Sequence, residues 1–192
     1  MSSTQRVEPF SAPLAALQHL LARFGDRGMI IGGLAASLLG RPRLTADVDA
    51  VMLLSLEDLP ELISAAEKEG LDPRLEDAEE FARRHRVLLL HHSASGINVV
   101  ISLGMLPFEE EAVERSTVHM IGDLSLRLPT PEDLIIFKAV AHRPQDLLDI
   151  QALIEVNPDL DRAWIERWLR QFARALDMPE LWEDIRAWLG EA

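Results

Sequence analysis

Residues 29–54 read MIIGGLAASLLGRPRLTADVDAVMLL, and the fold turns on how this stretch is read. Met29, Ile30 and Ile31 have the composition of a short buried strand, and Gly32 and Gly33 follow as a turn. Residues 34–39 suit one small-residue helix closed by Gly40, after which an Arg-Pro-Arg loop leads into a second strand carrying Asp47 and Asp49. Side chains alternate along a strand, so Asp47 and Asp49 share one face while Val48 and Ala50 point into the fold. Two carboxylates on one face attract a cation, although acids also occur at solvated strand ends. Backbone N–H groups at the glycine turn and the following helix N-terminus offer a seat for phosphate.

Outward from this stretch, the composition is that of a folded domain. The 192 residues are 48% apolar, enough for one well-buried core with a helical appendage, and the expected division is a core over residues 1–142 with a C-terminal helical region over residues 143–192 packed on it. The absence of cysteine removes disulfides, thiolate catalysis and Cys-ligated zinc, and agrees with a reducing cytoplasm. No apolar run approaches the roughly 20 residues of a membrane helix, and MSSTQRVEPF lacks the apolar centre of a signal peptide. The expectation is a cytoplasmic protein with no membrane partner. A net charge of −13 argues against non-specific DNA binding, because phosphate neutralisation needs clustered Lys and Arg. Arg41 with Arg43, and Arg83, Arg84 and Arg86, are the local cationic patches, each readable instead as solvated loop charge.

Flanking elements follow from periodicity. Residues 13–24 carry Leu14, Leu17, Leu20, Leu21 and Phe24 at helical spacing before Gly25, with His19 at the surface. Asp58 and Glu61 have capping-box spacing ahead of a helix over 59–69, and residues 71–85 read as a loop with a short helix near 78–84. Residues 86–92 and 97–103 are β-like runs around Ser93-Ala94-Ser95-Gly96. His91 and His92 adjoin there and face opposite ways, so they are core or surface histidines rather than a chelating pair. Glu109–Glu111 fall in the first turn of a helix that starts at Pro107, where the macrodipole favours acids, and Glu109 is the one acid nearby that could substitute as a ligand. Residues 118–121 and 124–128 read as strands around Gly122-Asp123. Thr130, Pro131 and Asp133 open a helix carrying Lys138, and another begins at Gln145-Asp146. Helices over 161–176 and 179–189 hold Trp164, Trp168, Trp182 and Trp188, which suit core or partner packing, with base stacking as the sharper alternative.

Ile31-Gly32-Gly33, a spacer, and Asp47-Val48-Asp49-Ala50 together resemble the signature of the nucleotidyltransferase superfamily of the DNA polymerase β type. Arg43-Leu44-Thr45, and the pattern Asp133-Leu134-x-x-x-Lys138 followed by Arg143-Pro144-x-Asp146-Leu147-x-Asp149-Ile150, resemble its small stand-alone branch of AbiEii-type toxins from type IV toxin–antitoxin systems. The resemblance implies an α+β fold, a mixed β-sheet flanked by helices and followed by C-terminal helices. It also implies Asp47, Asp49, Lys138 and Asp146 as catalytic residues, with Asp47 and Asp49 binding Mg²⁺, or Mn²⁺ in its place. Gly32, Gly33, Arg43, Thr45 and Lys138 would hold the NTP.

Plainer readings stand beside these roles. Arg43 could pair with a nearby acid, Lys138 could lie on the solvent face of its helix, Asp146 could be only an N-terminal helix charge, and Asp149, one turn on, could point the same way or orient Arg143. The sequence departs from the family where a third carboxylate is expected on the strand over 97–103: Asn98, Val100 and Ser102 share that face, and no acid occurs between Gly96 and Phe108. Three functions therefore compete. One is transfer of NMP from NTP to RNA, with tRNA favoured, or to a protein acceptor, as the toxin partner of a cognate antitoxin. Another is a catalytically degenerate binding or regulatory protein on the same fold. The last is an interaction protein that docks a partner through its Trp helices.

Overall fold

Glycine and short apolar runs place the first strands, and the acids of the second are carried on its rim. In the computed structural model, which describes residues 3–190, β1 (Gly28–Ile31) runs antiparallel to β2 (Asp47–Met52), with Ile31 opposite Asp49. The chain then leaves the sheet through α4 (Leu59–Lys68), returns along the edge as β3 (Leu71–Pro73), crosses α5 (Ala78–His85), and forms the hairpin of β4 (Val87–His92) and β5 (Asn98–Leu103). β5 inserts beside β2 in parallel, giving the order β1-β2-β5-β4-β3 in one mixed sheet. This is the expected α+β architecture of a mixed sheet flanked by helices.

Alternation decides what faces the core. Val48, Ala50, Val51 and Met52 of β2, Val99 and Ile101 of β5, and Leu88 and Leu90 of β4 are buried, whereas Asp47, Asp49, Asn98 and Val100 are partly exposed. The core is covered by α2 (Ser11–Arg23) through Leu14, Leu17 and Leu20, by Leu34 and Ala35 of α3 (Gly32–Leu39), and by Leu59 and Leu62 of α4. Before α2 lie α1 (Ser3–Val7) and a 3-10 turn, Glu8–Phe10. A separate ribbon of β6 (Thr117–Ile121) and β7 (Leu124–Leu128) follows α6 (Pro107–Arg115) and lies against β1 and α2 through β7.

Two local expectations change. β3 escapes a reading by pattern because three residues, one of them Pro73, cannot display alternation; an edge position tolerates the proline. Ahead of α4, Asp58 reaches back to Ser55, accepting from its N–H at 3.0 Å and from its hydroxyl at 2.8 Å, so the box is Ser55 with Asp58 around a 3-10 turn rather than Asp58 with Glu61.

At the C-terminal side, α7 (Pro131–Ala141) is capped by Thr130, whose hydroxyl oxygen accepts from the Asp133 N–H. His142 adopts φ 50°, a left-handed turn that folds α8 (Pro144–Val156) back onto α7. α9 (Arg162–Leu176) and α10 (Glu180–Trp188) pack on the same helix. Phe108 of α6 meets Phe137, Trp168 and Phe172 with ring centres 4.8, 5.3 and 5.6 Å away. Trp168 and Trp182 are buried, and Trp164 lies under the guanidinium groups of Arg115 and Arg167 while its indole N–H donates to Asp133 at 2.7 Å. Those three tryptophans are taken up in packing and offer no open stacking platform. Among the described residues no helix is long and apolar enough to cross a membrane.

Candidate active site

β1 ends where α3 begins, and the carboxylates of β2 meet that junction. Gly32 has φ +69°, a conformation that favours glycine, and a Cβ built on it would lie 2.0 Å from Asp49 Oδ2. The carboxylate thus occupies the space that the missing side chain leaves, and the Gly33 N–H donates to it. Asp47, two residues before on the same face, accepts from Asn98 Nδ2 at 3.2 Å. Burial pushes the Asp49 carboxyl above its usual range; the Gly33 N–H opposes that rise and the charge of Asp47 adds to it. A pair of partly buried, mutually repelling carboxylates favours a bound cation.

Arg43 and Thr45 close over Gly33. A Cβ on Gly33 would come within 2.7 Å of Thr45 Oγ1 and 2.8 Å of Arg43 Nη2. The Thr45 hydroxyl donates to the Asp47 carbonyl at 3.3 Å, pinning the loop to β2. Arg43 spans to α8, donating through Nε and Nη2 to the two oxygens of Asp149 at 2.7 and 2.8 Å, while Nη1 donates to the Leu44 carbonyl. The pairing of Arg43 with an acid is therefore the arrangement that the protein adopts.

Lys138 is 3% exposed, which overturns the reading of it as a solvent-face residue: the turn at His142 brings α8 over that side of α7. Its ammonium lies 3.0 Å from Asp146 and 2.7 Å from Asp149. Asp146 also accepts from the Arg143 N–H at 3.2 Å, Nε at 2.6 Å and Nη2 at 3.3 Å. Burial by itself would raise the carboxyls of Asp146 and Asp149, but the cationic donors outweigh it: Arg143 and Lys138 hold Asp146 below the usual range, and Arg43 and Lys138 do so for Asp149. Lys138 and Arg143 lie near enough for their charges to act on Asp49 as well. Ion pairs thus join Arg43, Asp149, Lys138, Asp146 and Arg143 in one network, and the hydrogen-bonded Gly33–Asp49 pair lies within reach of its charges.

Other candidates fall outside it. Glu109 accepts from the N–H groups of Met105 and Leu106 at 2.7 and 2.8 Å, so it caps α6. Arg83 and Arg84 pair with Glu79 and Glu80 one turn earlier, Arg86 donates to the Leu103 carbonyl, and Arg41 pairs with Glu155. His91 and His92 face opposite sides of β4, with His92 buried against Ser95.

Register settles what stands beside the acids: Asp47 is opposite Asn98 and Asp49 opposite Val100. Among the described residues no group of three or more His, Asp or Glu is arranged to hold a metal ion. Asp47 and Asp49 fit a hard divalent ion whose remaining positions are filled by water and ligand oxygens, which is how Mg²⁺ is commonly bound. Neither Asn98 nor Val100 adds a third carboxylate beside them.

No family model matches this chain, and no curated protein matches it. Among solved structures, the crystal structure of an antigenic nucleotidyltransferase-like protein from Paracoccidioides brasiliensis is similar, with a TM-score of 0.53 and 16% identity over 91% of both chains. The solution structure of the antibiotic-resistance factor ANT(2'')-Ia aligns over 92% of this chain and 90% of its own at 19% identity and a TM-score of 0.46. The first of these likenesses defines the class of architecture: this chain has a nucleotidyltransferase-like fold.

Proposed function

We propose that this protein is a nucleotidyltransferase that moves an NMP group from NTP to a hydroxyl acceptor. The observation that carries the reading is the placement of Asp47 and Asp49 on one face of β2, against the Gly32–Gly33 junction at the N-terminus of α3. The acceptor oxygen forms a bond to the α-phosphorus, the bond from that phosphorus to the pyrophosphate oxygen breaks, and the hydroxyl proton passes to water. Asp47 and Asp49 would hold Mg²⁺ or Mn²⁺, which when bound neutralises charge on the phosphate oxygens. Glycine at 32 and 33 leaves room for the Asp49 carboxylate and for the Arg43–Thr45 loop rather than for phosphate, and Lys138 of α7 with Arg143, the residue before α8, supplies positive field.

Within that reading we place the chain in the AbiEii-like branch, acting on tRNA or on a protein in the cytoplasm, as the toxin of a toxin–antitoxin pair; Arg43-Leu44-Thr45 and the two motifs of α7 and α8 support this. A second reading has its own observation: Asn98 and Val100 beside the acids favour a protein that binds nucleotide without turnover. Incubation of the purified protein with labelled NTPs, Mg²⁺ and total RNA or protein separates the two. Label transfer lost in Asp47→Ala is the expected result, whereas NTP binding with no transfer to any acceptor supports the second reading.

A further inference from the structure

Three cations lie on the α7–α8 side of the site, Lys138 and Arg143 near enough for their charges to act on Asp49 and Arg43 beside Gly33, and they differ in what they can still give a ligand. The Lys138 side chain is 4% exposed and its ammonium is shared by two carboxylates. Arg43 has Nε and Nη2 on Asp149 and Nη1 on a carbonyl. The Arg143 side chain is 72% exposed; its bonds to Asp146 run through the main-chain N–H, Nε and Nη2, and none of them uses Nη1.

We propose that Arg143 is the residue that touches substrate phosphate, that Asp146 positions it, and that Lys138 acts from behind as a buried counter-charge. The ligand class, a triphosphate, rests on the nucleotidyl-transfer reading. A guanidinium held along one edge by a carboxylate keeps an outer N–H edge for phosphate oxygens in a fixed orientation. Asp146 already holds that long side chain through Nε and Nη2 in the free protein, so less entropy is lost on binding. Lys138 could reach phosphate only by leaving two buried carboxylates without their shared cation.

Calorimetric titration of the full chain with inorganic tripolyphosphate, without metal, tests this directly. Arg143→Gln should bind about ten- to a hundredfold more weakly, the loss of one charge-assisted hydrogen bond. Arg143→Lys should recover part of that loss, with melting temperatures near wild type; if the Gln variant does not fold, the Lys variant decides by its weaker binding. In transfer assays Asp146→Asn should raise the NTP KM more than it lowers kcat, a split that a merely structural role does not give. Equal tripolyphosphate affinity in wild type and both Arg143 variants, or no binding by wild type, overturns the assignment. Transfer that persists unchanged in Arg143→Gln leaves the nucleotidyl-transfer reading standing without it, and Arg143-dependent binding with no transfer to any acceptor does the reverse.

Discussion

Gly32 is where a single atom would change the site. A methyl group there would meet the Asp49 carboxylate at 2.0 Å and would sit on a backbone with φ +69°. Gly32→Ala should therefore cost about 1–2 kcal/mol in backbone strain and push Asp49 away from Gly33. The expected outcome is a lower urea midpoint together with weaker Mn²⁺ binding by paramagnetic titration. A variant that binds Mn²⁺ as wild type does would show that Asp49 is not a ligand in its present place. Gly32 is legible in the sequence because a Gly-Gly pair directly after an apolar run marks a sharp turn at a strand end. The reach of Arg43 to Asp149 is not, since the partners are 106 positions apart and meet only when α8 packs beside the 40–46 loop.

The pairing of β2 with β5 decides how complete the acidic site is. Val100 stands in register with Asp49, is half-buried, and lies on the face that Asp49 shares. Val100→Asp would place a third carboxylate beside the first two, and an added anionic oxygen ligand should tighten Mn²⁺ binding by about tenfold or more. Faster label transfer in this variant would identify the missing acid as the limit on turnover. Unchanged binding would mean that position 100 does not face the ion. The strands themselves are legible from alternation in Val99, Ile101 and Leu103, while β3 is too short to display any pattern. The helix of Lys138 is also legible, from Thr130, Pro131 and Asp133, but not which of its faces is covered.

Across the molecule, the two depressed carboxylates set an acid limit on stability. Asp146 and Asp149 have folded-state values below their unfolded ones, so their stabilisation is present above the unfolded value, about 3.9, and is lost as pH falls through the folded values. Asp49 works in the opposite sense: its raised value makes its charged form unfavourable in the fold, and protonation relieves that. Urea unfolding from pH 7 to pH 2 should thus show a loss below about pH 4, shallower in Asp149→Asn than in wild type. An identical acid limb in the variant would mean that Asp149 contributes nothing to that loss.

The sequence by itself determined the local pieces: a strand ending in Gly32 and Gly33, acids two apart on the next strand, and capped helices bearing Lys138 and Asp146. Steric preference, alternation and capping act over a few residues and leave their marks in order along the chain. Only the tertiary structure decided that Lys138 is buried between two acids, that Arg43 is tied to Asp149, and that Arg143 keeps an exposed edge. A charge is paired or free according to which elements pack around it, and packing joins residues that no local pattern connects.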